Sequence, residues 1–323
     1  MKLKQVLNNY LPRKYFFVWW LWAYLPLFSQ SSTLQIMVLG ISQDGGYPQI
    51  GCQKACCQRA HLDVSLSRFR ASIAIIDSSS RQYWIIDATP DFPSQLTLLH
   101  RQVQPDYELA GVLLTHAHIG HYTGLMYLGH EAMGAKQIPV YVLPRMKQFL
   151  IDHGPWSQLV KLKNIILRPL SADSAIWLNK HIQVTPHLVP HRDEYSETAA
   201  FVIQIGGHKI LYLPDIDKWE KWSVNVVEMI KQVDVAMVDG CFYDGDELPG
   251  RDIKEVPHPF IQESLSLFNG LPANQKNNVY FTHFNHTNPV LDPHSDATKK
   301  VQEAGLGVLE QGQIFFFSLE STK

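Results

Sequence analysis

The stretch Thr115-His116-Ala117-His118-Ile119-Gly120-His121 places three imidazoles within six residues, directly behind the apolar Val112-Leu113-Leu114. Imidazole is a borderline-soft donor that suits zinc, iron or manganese, and several on one tight loop can converge on an ion. Side chains two apart on an extended segment point the same way, which pairs His116 with His118. His121 opens the next segment and can reach round from the other side. A lone buried histidine is more often a core residue with a satisfied hydrogen bond. Three at the end of one apolar run favour a metal.

More donors occupy comparable places. His191 follows the run 184–190, Asp215 follows Ile210-Leu211-Tyr212-Leu213-Pro214, and His283 follows Val279-Tyr280-Phe281-Thr282. Ligands grouped where strands end are how α/β folds build sites. Taken singly, each has a plainer reading: Asp215 as a helix N-cap, and His187, His191, His208, His258 or His286 as surface or core residues. Together, His116, His118, His121, His191, Asp215 and His283 supply donors for one or two ions.

These donors need elements to hold them. Strand-like runs fall at residues 34–40, 72–76, 83–86, 112–114, 200–205, 209–213, 235–238, 279–281 and 314–317. The polar turn Asp77-Ser78-Ser79-Ser80-Arg81 makes a hairpin of the second and third runs, and Gly206-Gly207 does the same for 200–205 and 209–213. Helical patterns span 121–133, 219–231 and 259–268, the last with Pro at its start. Hairpins followed by strand–helix alternation imply mixed sheets with helices outside them. That is an α/β architecture compatible with a four-layer αββα sandwich.

The bulk composition narrows the function classes. Of 323 residues, 46% are hydrophobic and 18% charged, which is ample for a large core. With 28 basic and 30 acidic residues the net charge is −2, so no basic surplus points to nucleic acid as a partner. The N-terminus stands apart. Lys2, Lys4, Arg13 and Lys14 precede an apolar or aromatic run over 15–28, and Ser29-Gln30-Ser31-Ser32 follows. This layout predicts a secretory signal over residues 1–32, cut near Gln30, and a periplasmic or extracellular protein. The run is short for a bilayer span and Pro26 interrupts it. An uncleaved anchor giving membrane association, and a buried segment, are the competing readings. Export would let cysteines form disulfides. Cys52, Cys56 and Cys57, with His61 near them, therefore offer either a structural metal site or a disulfide, local or with Cys241.

The ordered donors resemble those of the metallo-β-lactamase superfamily, whose members carry an early acid, an H-x-H-x-D-H loop, a later His, a bridging Asp and a final His. Here those positions read Asp87, His116/His118/Gly120/His121, His191, Asp215 and His283, over residues 34 to the C-terminus. Within the superfamily the chain is similar to the B proteins of pyrroloquinoline quinone (PQQ) biosynthesis. The shared blocks are Gly45-Gly46-Tyr47-Pro48-Gln49 with nearby cysteines, Thr89-Pro90-Asp91-Phe92, Asp239-Gly240-Cys241-Phe242, Val256-Pro257-His258 and the segment from Thr282 to Pro289. The resemblance implies the αββα sandwich and zinc, one or two ions, with Fe(II) as the alternative. It also suggests a structural zinc at the cysteines.

The same resemblance gives Asp87 and Asp215 catalytic roles. Asp215 would bridge to a second ion, and Asp87 would accept a hydrogen bond from a ligand imidazole and fix its tautomer. His116, His118 and His191 would form a three-nitrogen face with an open position for water. Two departures stand out. Gly120 replaces the usual Asp, leaving either one firm ion and one weak one, or a substitute ligand, with Asp44 and His258 as the candidates. The H-x-H pair is complete here, unlike the pattern of the PQQ proteins. The implied activity is hydrolysis of a small-molecule ester, lactone, amide or phosphoester. The alternatives are an iron-dependent oxygenase acting on a tyrosine-like ring and a non-catalytic metal-containing carrier. Neither the substrate nor the oligomeric state is legible.

Overall fold

The first strands bury both of their faces, and that fact sets the layering. Along Thr33–Gly40, Leu34, Ile36 and Val38 point into one apolar cluster, while Met37 and Leu39 point into another. Ile73, Ile75, Trp84 and Ile86 continue the first set; Ala74, Ile76, Tyr83 and Ile85 continue the second. Strands buried on both faces read as continuous apolar runs, as these do. One side meets a second sheet and the other meets helices such as Phe92–His100, whose Phe92, Leu96 and Leu99 join the outer cluster.

The computed structural model describes residues 33–318. The signal or anchor expected over residues 1–32 lies outside them. Among the described residues no helix is long and apolar enough to cross a membrane. In chain order the strands are β1 (Thr33–Gly40), β2 (Ser72–Asp77), β3 (Gln82–Ile86), β4 (Glu108–Leu113), β5 (Ile138–Val142), β6 (Ile165–Pro169), β7 (Ile176–Trp177), β8 (Ile182–Leu188), β9 (Ala199–Ile205), β10 (His208–Leu213), β11 (Val235–Asp239), β12 (Val279–Thr282), β13 (Gly307–Val308) and β14 (Ile314–Ser318). They form two seven-stranded sheets, ordered β14-β1-β2-β3-β4-β5-β6 and β13-β12-β11-β10-β9-β8-β7. Each begins with antiparallel hairpins and continues with parallel strands from β3 or from β10. This is the mixed-sheet αββα sandwich that the sequence implies.

Both expected hairpins form, with Asp77 opposite Gln82 and Ile205 opposite His208. The helix expected over 259–268 is Ile261–Phe268, opened by Phe260, whose N–H donates to Glu263 at 2.9 Å. Two helical expectations need correction. Residues 121–133 form a short helix, Ile119–Tyr122, and a 3₁₀ segment, Thr123–Leu128. The cause is close packing: Gly124 N–H donates to Ala88 O at 2.8 Å, and a Cβ at Gly124 would lie 2.8 Å from Phe92 Cβ. Residues 219–231 break into Trp219–Lys221 and Val226–Ile230, because the Asn225 side chain caps a new start by accepting from Val227 N at 2.9 Å.

Candidate metal centre

The donors gather where strands run out. Asp87 follows β3, His116 and His118 follow β4, His191 follows β8, Asp215 follows β10 and His283 follows β12. Asp87 and His283 have φ of 70° and 63°. That left-handed region is costly for residues other than glycine and recurs at functional sites, where the surroundings over-determine it. The backbone fixes both places: Asp87 N–H donates to Leu113 O at 2.9 Å, and Phe284 N–H, beside His283, donates to Ile41 O at 2.8 Å.

All six sequence-predicted ligands come together, around Asp215 Oδ2. His116 Nε2 lies 3.3 Å from that oxygen and His191 Nε2 3.2 Å, with His118 Nδ1 at 3.9 Å. Among themselves, His118 Nδ1 stands 2.9 Å from His116 Nε2 and 3.2 Å from His191 Nε2. Donors about 2.0–2.1 Å from a tetrahedral ion sit roughly 3.3 Å apart, so these spacings fit one ion. On the other side of Asp215 Oδ2 are His283 Nε2 at 3.7 Å and His121 Nε2 at 3.8 Å. Asp44 Oδ1 is 3.4 Å from His121 Nε2. His121 Nε2, Asp215 Oδ1 and both nitrogens of His283 are buried with no hydrogen-bond partner within the protein. Buried polar atoms are almost always satisfied, and a metal is a standard reason for such a group.

Outer contacts set which nitrogen faces inward. Thr115 Oγ1 donates to Asp87 and lies 2.9 Å from His116 Nδ1, so it accepts that proton and leaves Nε2 with its lone pair. His121 Nδ1 lies 2.7 Å from Asp87 Oδ2, which frees its Nε2 in the same way. His118 Nε2 faces Glu194 Oε2 at 3.2 Å and so presents Nδ1. Such outer partners fix tautomer and ring orientation. Asp239, at the end of β11, takes His258 Nδ1 at 2.8 Å and the Cys241 N–H at 2.7 Å.

Burial and neighbouring charge act on the donors in different directions. Burial, and then the neighbouring His121, push His116 well below its ordinary value, keeping it a neutral donor. Burial opposes ionisation of Asp215, but His191, His283, His258 and His116 outweigh it and hold the carboxyl well below the usual range. Burial would lower His121, yet Asp87, Asp44 and Asp215 raise it to about 9.

Comparison with known proteins shows the family. A family model described as "Beta-lactamase superfamily domain" matches residues 83–284. The chain belongs to the metallo-β-lactamase superfamily. Among curated proteins it is 25% identical over 306 residues to coenzyme PQQ synthesis protein B of Methylococcus capsulatus, covering 86% of this chain and 98% of that one. Among solved structures it is similar in fold to the Zn(2+)-bound PqqB of Methylobacterium extorquens, with TM-score 0.73, 20% identity and coverage of 87% and 99% of the two chains. A diphosphatase of the PhnP family follows, with TM-score 0.64, 22% identity and coverage of 89% and 98%.

The cysteines differ from one of the two sequence readings, the disulfide. All four are free thiols, and Cys241 lies with His258 and His283 rather than with the other three, so the disulfides are not formed. His61 turns away, its Nε2 3.0 Å from Cys52 O. His286 takes its place: its Nδ1 is 3.5 Å from Cys56 Sγ and 3.3 Å from Cys57 Sγ, and Cys52 Sγ is 3.9 Å from Cys56 Sγ. A tetrahedral Cys₃His zinc has S–S edges of about 3.8 Å and S–N edges of about 3.5 Å, which these distances match. Three further residues contact the histidines and Asp87 without a role expected from the sequence: Thr115, Glu194 and Asp239. Thr115 precedes His116, and Asp239 lies in the Asp239-Gly240-Cys241-Phe242 block. Glu194 carried no sequence signal, because the link to His118 spans 76 residues.

Proposed function

We propose that this chain is a metal-dependent hydrolase, with zinc as its ion, acting on a small-molecule ester, lactone, amide or phosphoester. The observation that carries the reading is the convergence of His116 Nε2, His118 Nδ1 and His191 Nε2 on Asp215 Oδ2, with outer groups holding His116 and His118 in the tautomers that donate inward. A bound divalent ion supplies Lewis acidity at that point, lowering the pKa of water from 15.7 towards about 7. The residues do the positioning. Asp87 orients His121 directly and His116 through Thr115, and Ser196 Oγ accepts the Ala117 N–H at 2.8 Å, pinning the loop between the paired histidines. The zinc in the related PqqB and the diphosphatase activity of the PhnP-family neighbour support the choice of ion and of reaction class.

The likeness to PQQ synthesis protein B favours a second reading, iron-dependent oxidation of a tyrosine-like ring. Elemental analysis of protein purified without added metal separates the two, beside a His116→Ala control and anaerobic assays on p-nitrophenyl esters and phosphodiesters. Zinc that falls in the control, with turnover in the absence of oxygen, is the expected result. Iron with oxygen consumption would transfer the assignment to the oxygenase. Unchanged metal content in His116→Ala would remove the site from the histidines altogether.

A further inference from the structure

Gly120 removes the carboxylate that the superfamily loop carries for a second ion, and the structure puts another carboxylate in its place. Asp44 lies in the loop after β1, 76 residues from Gly120. Its Oδ1 accepts the Gly120 N–H at 3.1 Å and stands 3.4 Å from His121 Nε2. A Cβ at position 120 would overlap Asp44 Oδ1 and lie 2.7 Å from Asp44 Cα. The space that a side chain at 120 would start from is therefore filled by Asp44. The two positions exclude each other: glycine at 120 is what admits the carboxylate from β1.

Asp44 is also held rigidly. Arg70 Nε donates to Asp44 O at 3.0 Å and Arg70 Nη2 to Gly45 O at 3.1 Å, while Arg70 Nη1 pairs with Asp91 Oδ1 at 3.0 Å. The clamp fixes the backbone of the loop, and Gln43 Nε2 donates to Asp44 Oδ2 at 3.3 Å. The donor atoms of Asp44, His121 and His283 lie within 4.8 Å of one another, and Asp215 Oδ2 faces the two histidines from the first ion's side. His258, the other substitute that the sequence suggests, groups instead with Asp215, Asp239 and His283, its Nδ1 2.8 Å from Asp239 Oδ2, and fills none of the space at Gly120.

We infer that Asp44 is a ligand of a second metal ion, held with His121, His283 and the shared Asp215, and that it replaces in space the carboxylate missing at Gly120. The inference rests on the metal-centre reading above and assigns its second half. Zinc content and Co(II) spectra of the full chain test it. Asp44→Asn, which keeps the side-chain size and the acceptor for Gly120 N–H, should hold one equivalent less zinc than the unaltered chain. It should also lose one of the cobalt components. Gly120→Asp alone should lose metal through overlap with Asp44, and the exchange Asp44→Gly with Gly120→Asp should regain the equivalent. Full zinc content in Asp44→Asn, or failure of the folded exchange variant to regain metal, would overturn the inference. His116→Ala keeps the two readings apart: if it sheds metal and Asp44→Asn does not, only the role of Asp44 falls.

Discussion

Asp87 accepts from Thr115 N at 2.8 Å, from Thr115 Oγ1 at 2.9 Å and from His121 Nδ1 at 2.7 Å, and is fully buried. One carboxylate thus sets the tautomer of two imidazoles, one directly and one through a hydroxyl. It lies outside the proposed ligand set, so its loss should weaken the centre without removing a donor. Asp87→Asn should lower metal affinity by about 10–100-fold, the range for outer partners of metal ligands, read by competition with a chromophoric chelator. Affinity equal to the unaltered chain would leave Asp87 a purely structural residue. At this scale much was readable. The six donors were visible because His116, His191, Asp215 and His283 stand close behind apolar runs, and His118 and His121 follow His116 on the same loop. Thr115 and Glu194 were not, because a hydroxyl and an exposed carboxylate have no type or spacing that marks them.

The helix Ala55–Leu62 is weak by its own residues. Lys54 offers no side-chain cap, the first turn holds no acid, and only Cys57 and Ala60 are buried. Its ion pair from Arg59 to Asp292 is exposed, and such pairs add little. What ties it to the body is the Cys52, Cys56, Cys57 and His286 group, together with Tyr47, whose hydroxyl donates to Cys56 O at 2.9 Å. His286→Ala should therefore drop one zinc equivalent and speed hydrogen exchange over 52–62, with the histidine centre's metal retained. Exchange unchanged over that segment would show that the helix needs no metal to stay in place. The sequence marked the cysteines here but named His61 as their companion. The fourth donor arrives 229 residues later in the chain, and local spacing carries no trace of it.

Across the whole molecule, the two sheets are joined at the end opposite the metal centre by Asp77. At the β2–β3 turn its Oδ1 accepts Ser79 N at 2.8 Å, while Oδ2 accepts Asn179 Nδ2 at 2.7 Å and faces His181 Nδ1 at 3.0 Å, both from the β7–β8 connection. Burial opposes ionisation, but Ser79, His181 and Asn179 outweigh it and hold the carboxyl at about 2. A depressed acid contributes stability above its unfolded value, and that contribution fades as pH falls through the folded one. Asp77 should thus contribute about 2 kcal/mol above roughly pH 4 and progressively less towards pH 2. Urea unfolding of Asp77→Asn and the unaltered chain should differ by that amount at pH 7, by about half of it near pH 3, and converge only at about pH 2 and below. A gap independent of pH would show that the carboxylate's charge plays no part.

The sequence by itself determined the donors, their order along the chain and the layered class. A strand buried on both faces must be apolar throughout, and a ligand at its end must follow it directly. The tertiary structure decided what depends on segments far apart in the chain. It brought His286 to the cysteines, kept Cys241 away from them, divided the helical stretches at Gly124 and Asn225, and filled the space left by Gly120 with Asp44. Periodicity reports only which face of an element is apolar. Where two distant loops meet is fixed by the packing of whole sheets, and no local pattern records it.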